Sequence, residues 1–215
     1  MRPSGNLVPI SAVVEGRLDE VVLRAVIRHA GGIPGPVYGK HGKQYIRKNL
    51  SGYNRAATHS PWVVVVDLDQ DADCAPPFRA AWLLRPAPLM CFRVAVREIE
   101  AWLLADRMRI AEFLAVDPRN VPVDVEALPD PKHAVLQLAR FSRRKAIRED
   151  MLPRFGSGRE VGPAYNSRLI QFVNDRRRGW RPEVAAQSSE SLRRCVRCLG
   201  RLVREARLLP QTPHP

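Results

Sequence analysis

The chain has 215 residues, 45% of them hydrophobic and 27% charged, which is the composition of one generous globular domain or of a domain with a helical appendage. No apolar run approaches the roughly 18–20 residues that cross a bilayer, and no basic segment followed by an apolar one opens the chain, so neither a membrane span nor a signal peptide is expected. Four cysteines, at 74, 91, 195 and 198, are too few and too uneven for a disulfide scaffold, which points to a cytoplasmic protein.

The net charge of +13 is unevenly spread. Residues 1–138 carry 17 basic and 15 acidic side chains, whereas residues 139–215 carry 18 and 7. Such segregation is the electrostatic footprint expected of a polyanion-binding surface. Thirty of the 35 basic residues are arginine, a bias that GC-rich coding also produces, so charge alone does not name the partner.

In chain order, residues 7–14 read as a short buried strand ending at Glu15-Gly16. Leu18, Val21, Val22, Ala25 and Val26 then form one face of an amphipathic helix that Gly31-Gly32 ends. Residues 33–60, rich in Gly, Lys, Tyr and Asn, read as an irregular basic segment. The four valines 63–66 before Asp67 predict a central parallel strand buried on both faces. A third apolar run, residues 89–96, leads into a helical pattern over 98–106. Beyond about residue 130 only helical periodicity remains. It closes on a helix whose stripe of Leu192, Cys195, Val196, Leu199, Leu202, Val203 and Ala206 opposes a row of arginines. The expected fold class is α/β, a mostly parallel sheet flanked by helices, with a basic helical C-terminal part. The divisions are a core over 1–130, a helical extension packed on it over 131–209 and a tail over 210–215.

Acidic residues gather at the expected carboxyl ends of the strands, the edge where open α/β sheets bind ligands. They are Glu15; the alternating Asp67, Asp69, Asp71 and Asp73; and Glu98 and Glu100. Alternation beyond an extended strand puts Asp67 and Asp69 on one side, a natural oxygen pair for Mg²⁺ or Mn²⁺. Crowded carboxylates repel one another unless a cation sits among them. A lone Glu at a strand–helix junction also serves as a helix N-terminal charge, and Asp-rich turns also occur as solvated loops.

Several alternatives fail on spacing. An EF-hand starting at Asp67 puts Ala72 where Gly is needed and Phe78 where the bidentate Glu belongs. A haloacid-dehalogenase reading finds Asp71 where Thr or Val is required, and a glycosyltransferase Asp-x-Asp site does not account for Glu15-Gly16. Residues 38–48 lack the first glycine of a P-loop. Cys195 and Cys198 form a single C-x-x-C on a helix with no second pair, which reads as core rather than zinc. Lys40, Lys43, Arg47 and Lys48, interleaved with tyrosines, suit phosphate contacts and base stacking or, equally, a surface loop. Arg143, Arg144, Arg176, Arg177 and Arg178 are further candidate phosphate contacts, and Lys132 a candidate stabiliser of developing phosphate charge.

Glu15-Gly16 after the first strand, Asp67-x-Asp69 after the valine strand and a further acidic helix together resemble a Toprim domain. That domain is the metal-binding catalytic unit of topoisomerases, primases and overcoming-lysogenisation-defect nucleases. More closely, Val14-Glu15-Gly16, Val66-Asp67-Leu68-Asp69 and the run from Arg97 to Asp106 resemble the bacterial domain of unknown function 4276 family. So do Asp130-Pro131-Lys132, Tyr165 and the stretch from Trp180 to Leu192. The resemblance implies that Glu15 is a general acid/base or metal ligand and that Asp67 and Asp69 are the metal-binding pair. Glu100, with Glu98 beside it, would complete a second site.

The expected activity is therefore Mg²⁺- or Mn²⁺-dependent hydrolysis of nucleic-acid phosphodiesters. A separate ATPase partner follows by class analogy, because the chain carries no nucleotide-hydrolysis motif. Two other readings stand beside it: a non-catalytic nucleic-acid or partner-binding module whose acids hold a structural cation, and a metal-dependent transferase acting on nucleotides or sugars.

Overall fold

The computed structural model describes residues 9–208. Leu7 and Val8 of the expected first strand, and the expected tail, lie outside that range. Four parallel strands, β1 (Pro9–Val14), β2 (Ile33–Gly39), β3 (Trp62–Asp67) and β4 (Met90–Ala95), make one sheet of order β2-β1-β3-β4. Parallel neighbours require crossovers. Here they are α1 (Arg17–His29), α2 (Gly42–Ala56) and α3 (Ala75–Trp82). After β4 come α4 (Ile99–Leu104), α5 (Arg107–Leu114), α6 (Pro131–Arg140), α7 (Lys145–Met151), α8 (Tyr165–Asn174), α9 (Pro182–Ser188) and α10 (Glu190–Arg207). The expected α/β class, a parallel sheet flanked by helices, is what the chain forms.

Successive strand residues point to opposite faces, and the two faces meet unequal cores. Ile10, Ala12 and Val14, Val63 and Val65, and Cys91 and Ala95 join one large cluster with α1 and α4 to α10. Val13, Val64, Val66, Met90, Phe92 and Val94 face a small cluster in which α2 supplies only Ile46 and Leu50 and α3 only Phe78 as fully buried side chains. The helices beyond residue 131 share the large cluster with the sheet, α10 lying on β4 and α8 on α1. Cys195 is fully buried in that cluster.

Residues 33–60 are not irregular: they supply β2 and α2. In β2 the strand signal is masked by Pro34, Gly35 and Pro36, which a parallel strand tolerates because it lies at the sheet edge, with only β1 beside it. In α2 the apolar stripe is only Ile46 and Leu50, with Tyr53 half-buried behind them, and the helix opens on Gly42 without a capping side chain. Gly39 ends β2 at φ 86°, where a Cβ would stand 2.3 Å from the Val14 carbonyl oxygen. That close approach lets the Lys40 N–H donate to Val14 O at 2.8 Å and turns the chain into α2.

Polar ties fix the helical part to the sheet. Trp102 of α4 donates its indole N–H to Ser191 Oγ at 2.7 Å, and the Trp180 indole donates to the Trp102 carbonyl at 2.9 Å. Glu126 accepts from the hydroxyls of Ser189 and Ser191. Asp106, 0% exposed, accepts from the backbone N–H and from the guanidinium Nε and Nη2 of Arg181. Among the described residues no helix is long and apolar enough to cross a membrane. Replacing Asp106 leaves that guanidinium without its bidentate partner beside a buried void. Asp106→Ala is expected to lower stability in urea by about 2–4 kcal/mol with an unchanged m-value. A loss below about 0.5 kcal/mol would mean that the pair does not hold α9 to the core.

Candidate functional site at the carboxyl edge of the sheet

The chain leaves β1 toward β2 on one side and crosses to β3 on the other. A crevice therefore opens at the carboxyl ends of β1 and β3. Glu15 follows β1, Asp67 ends β3, and the Asp67 N–H donates to Glu15 Oε1 at 2.8 Å. Asp19, at the third position of α1, joins them: it is 8% exposed, and its Oδ1 is buried without a hydrogen-bond partner. Asp67 Oδ1 is in the same state. From the β4 side comes Glu100, 4% exposed, which accepts the Tyr165 hydroxyl at 3.2 Å.

Two lysines border this group. Lys43 of α2 bonds Asp69 and, at 2.8 Å, Asp71. Lys132, at the start of α6, gives both its N–H and its Nζ to Glu98, each at 2.9 Å. The loops that carry the acids are themselves tied down. The Asp69 N–H donates to Arg97 O at 2.8 Å, the Arg97 guanidinium returns bonds to the Asp69 and Ala72 carbonyls, and Gln70 reaches Pro129 O.

The electrostatics follow from burial and like charge. Desolvation pushes the Glu15 carboxyl up to about 7 against the pull of the Asp67 N–H and Lys43, with Asp19 and Asp69 adding to the rise. Burial likewise pushes Glu100 up to about 7, against Lys132 and with Glu98 and Asp19. Asp67 is driven well above the ordinary carboxylate range, first by burial and then by the charges of Asp19, Glu100, Glu15 and Asp69. Burial opposes the charge on Lys132, yet Glu100 and Glu98 outweigh it and raise its pKa. Burial and the neighbouring Glu100 raise Tyr165, so its hydroxyl stays a donor.

The expected residues divide. Glu15, Asp67 and Glu100 border one crevice, with Asp69 at its rim. Asp69 is not the extended neighbour that alternation predicts: β3 stops at Asp67, and Asp69 adopts φ 49°, which turns its carboxylate to Lys43. Glu98 precedes α4 and serves Lys132, while Glu100, two residues on, points inward. Asp71 shares Lys43, and Asp73 lies beyond it, lining a separate cavity of about 380 Å³ with Arg79 and Arg93. Lys40 pairs with Glu20, Arg47 stacks on Trp82 with its guanidinium 5.5 Å from the ring, and Lys48 is exposed on α2. Arg143 and Arg144 lie just before α7 and Arg176 to Arg178 just after α8, in the layer across the sheet from α2. Asp19 was not legible as a site residue, since an acid in a first helical turn is ordinarily a dipole partner. Its signal is the four-residue step from Glu15, which returns it to the strand end.

Among the described residues no three Asp, Glu, His or Cys side chains converge as a ready cation cage. What suits a divalent cation is the donor chemistry: hard carboxylate oxygens, two of them buried and unpartnered, in a crevice where ionised acids repel. Glu15 and Glu100 hold protons in the folded chain that the unfolded chain releases at about 4.5. Without metal, these two groups are therefore expected to lower stability as pH rises from about 4.5 to about 7, and the raised carboxyls of Asp67 and Asp19 add to that fall. Asp67→Asn, which removes a buried acid whose ionisation its neighbours oppose, is expected to raise the metal-free melting temperature at pH 8. Mn²⁺ is expected to stabilise the wild type more at pH 8 than at pH 5. Thermal unfolding across that grid checks all three, and a melting temperature that climbs between pH 5 and 7 would contradict the electrostatic account. A scan against models of protein families and searches of curated proteins and of solved structures return no match, so the site is read from its own chemistry.

Proposed function

We propose that this chain is a metal-dependent phosphodiester hydrolase of Toprim-like type acting on nucleic acid. The observation that carries the reading is the pair of buried, unpartnered oxygens, Asp67 Oδ1 and Asp19 Oδ1, at the centre of an acidic crevice at the switch point of a parallel sheet. Asp67, Asp19 and Glu100, with Glu15 and Asp69 at the edge, would hold Mg²⁺ or Mn²⁺. When bound, such an ion supplies water activation and charge stabilisation at a leaving oxygen.

The chain's own residues have separable tasks. Glu15 anchors one carboxylate oxygen on the Asp67 N–H, which leaves Oε2 to take a proton from an attacking water, and its pKa of about 7 suits that exchange near neutrality. Tyr165 holds the Glu100 carboxylate in place through Oε1. Lys132, fixed to Glu98, presents a permanent cation for a phosphate oxygen. Lys43, clamped between Asp69 and Asp71, offsets part of the rim's charge until a substrate or ion competes for those carboxylates. An ATPase partner remains part of the proposal by class analogy alone.

A binding module without catalysis is the second reading, and the hold of Lys43 on the rim carboxylates favours it. Cleavage of single- and double-stranded DNA and RNA with Mg²⁺ or Mn²⁺ separates the two. The proposal expects metal-dependent cleavage that Asp67→Ala abolishes and that Glu15→Gln slows by about 10²–10⁴-fold. The wild-type rate should rise as pH passes about 7 and flatten above, a dependence that Glu15→Gln removes. Metal-independent binding with no cleavage of any substrate would replace the hydrolase by the module.

A further inference from the structure

We propose that the flank of α2 that adjoins the edge of β2 forms, with that edge, a base-stacking track for single-stranded nucleic acid leading to the acidic crevice. This inference rests on the nucleic-acid reading of the site and goes beyond it by naming strandedness and the surface that selects it.

The first observation is charge. Residues 21–66 contain no Asp or Glu and carry seven Lys and Arg. Four of these, Lys43, Arg47, Lys48 and Arg55, lie on α2, and Lys40 directly precedes it. The second is the aromatic arrangement. Tyr38, on the edge strand, lies 5.3 Å from the Trp62 ring at an interplanar angle of 25°, and Tyr53 of α2 lies 5.5 Å from Trp62 at 29°. Tyr45, two turns before Tyr53, pairs edge-on with His41 at 5.1 Å. Tyr38 and Tyr45 keep 43% and 41% of their surface in solvent, whereas Ile46 and Leu50 of the same helix are buried against the sheet. Tyr38 and Tyr45 are therefore not consumed by the core, whereas Tyr53 and Trp62 pack partly against it.

The third observation is the shape of the helix surface. His41, Tyr45, Asn49 and Tyr53 repeat at four-residue spacing and form one stripe. Gly52 sits in the helix interior beside that stripe, and a Cβ there would meet nothing within 4 Å. No packing demand explains this helix-weakening residue, and its effect is a flat, open stretch of helix between the rings. The stripe also has a direction. At about 1.5 Å rise per residue, Tyr53 lies about 15 Å from Lys43, whose ammonium already touches the rim of the acidic crevice.

Aromatic faces next to a row of cations, of which Lys40 and Lys43 are held by acids and Arg47 lies over Trp82, suit a chain of exposed bases on a phosphate backbone, and duplex DNA hides the faces that such rings need. A protein partner would have to answer this much positive charge with acids and would gain nothing from the ring spacing.

The experiment measures binding in EDTA, in an Asp67→Asn background so that cleavage does not enter. The probes are a labelled thymidine oligonucleotide about twelve nucleotides long, within the usual site size, and a duplex of equal length. Expected are tighter binding of the single strand, quenching of tryptophan fluorescence that Trp62→Phe abolishes, and about tenfold weaker binding on Tyr38→Leu or Tyr45→Ala. Both tyrosines are exposed, and circular dichroism confirms that the variants are folded. Equal affinity for the duplex, or tyrosine variants that bind the single strand as the wild type does, would overturn the inference, as would no binding at all. Cleavage is scored separately, with Asp67 intact, on the wild-type chain and on the tyrosine variants. Stacking without cleavage sustains the track and removes the hydrolase, while wild-type cleavage of single strands by the tyrosine variants removes the track alone.

Discussion

Like charge confined in a poorly solvated crevice is the constraint on which the rest of this structure turns. Glu15, Asp19, Asp67 and Glu100 are brought together by the topology of the sheet and not by mutual attraction. Each would relax if the strand ends could splay. They cannot, because β1, β3 and β4 are in register and both faces of the sheet are packed. The energy of hydrophobic burial thus maintains an arrangement that electrostatics opposes, which is the usual relation between a scaffold and a reactive site.

The two lysines show how far the chain goes in offsetting that repulsion by itself. Lys132 and Lys43 come from helices on opposite faces of the sheet, α6 and α2, and each is held by acids at the margin of the crevice. Neither bonds the buried oxygens of Asp19 or Asp67. The charge of the margin is partly offset, and that of the centre is not. A cation or a protonated state is therefore favoured at the centre specifically.

Much of this was legible in the sequence because strong patterns have a single reading. Four valines before Asp67 leave little but a central strand, and the stripe through Leu192, Leu199 and Val203 leaves little but a packed helix. Glu15 and Asp67 were placed by the rule that acids after buried strands meet at the carboxyl edge. The reading failed where tertiary context overrides local preference. Pro34 and Pro36 deny β2 any strand signal although its edge position tolerates them. Asp69 left the expected side because the strand ended two residues earlier, and Asp19 resembled an ordinary helix-start acid until the position of β3 buried it.

The unequal layers have a consequence for motion. The layer of α2 and α3 rests on few fully buried side chains, while α1 and α10 share a core that runs through most of the chain. Opening free energies follow such differences in burial. The amides of α2 should therefore exchange with deuterium through local openings that leave β1 and β3 paired, well below the energy of global unfolding. The acids would then stay fixed while the helix carrying Lys43 lifts and resettles, so that one wall of the crevice is rigid and the other is hinged.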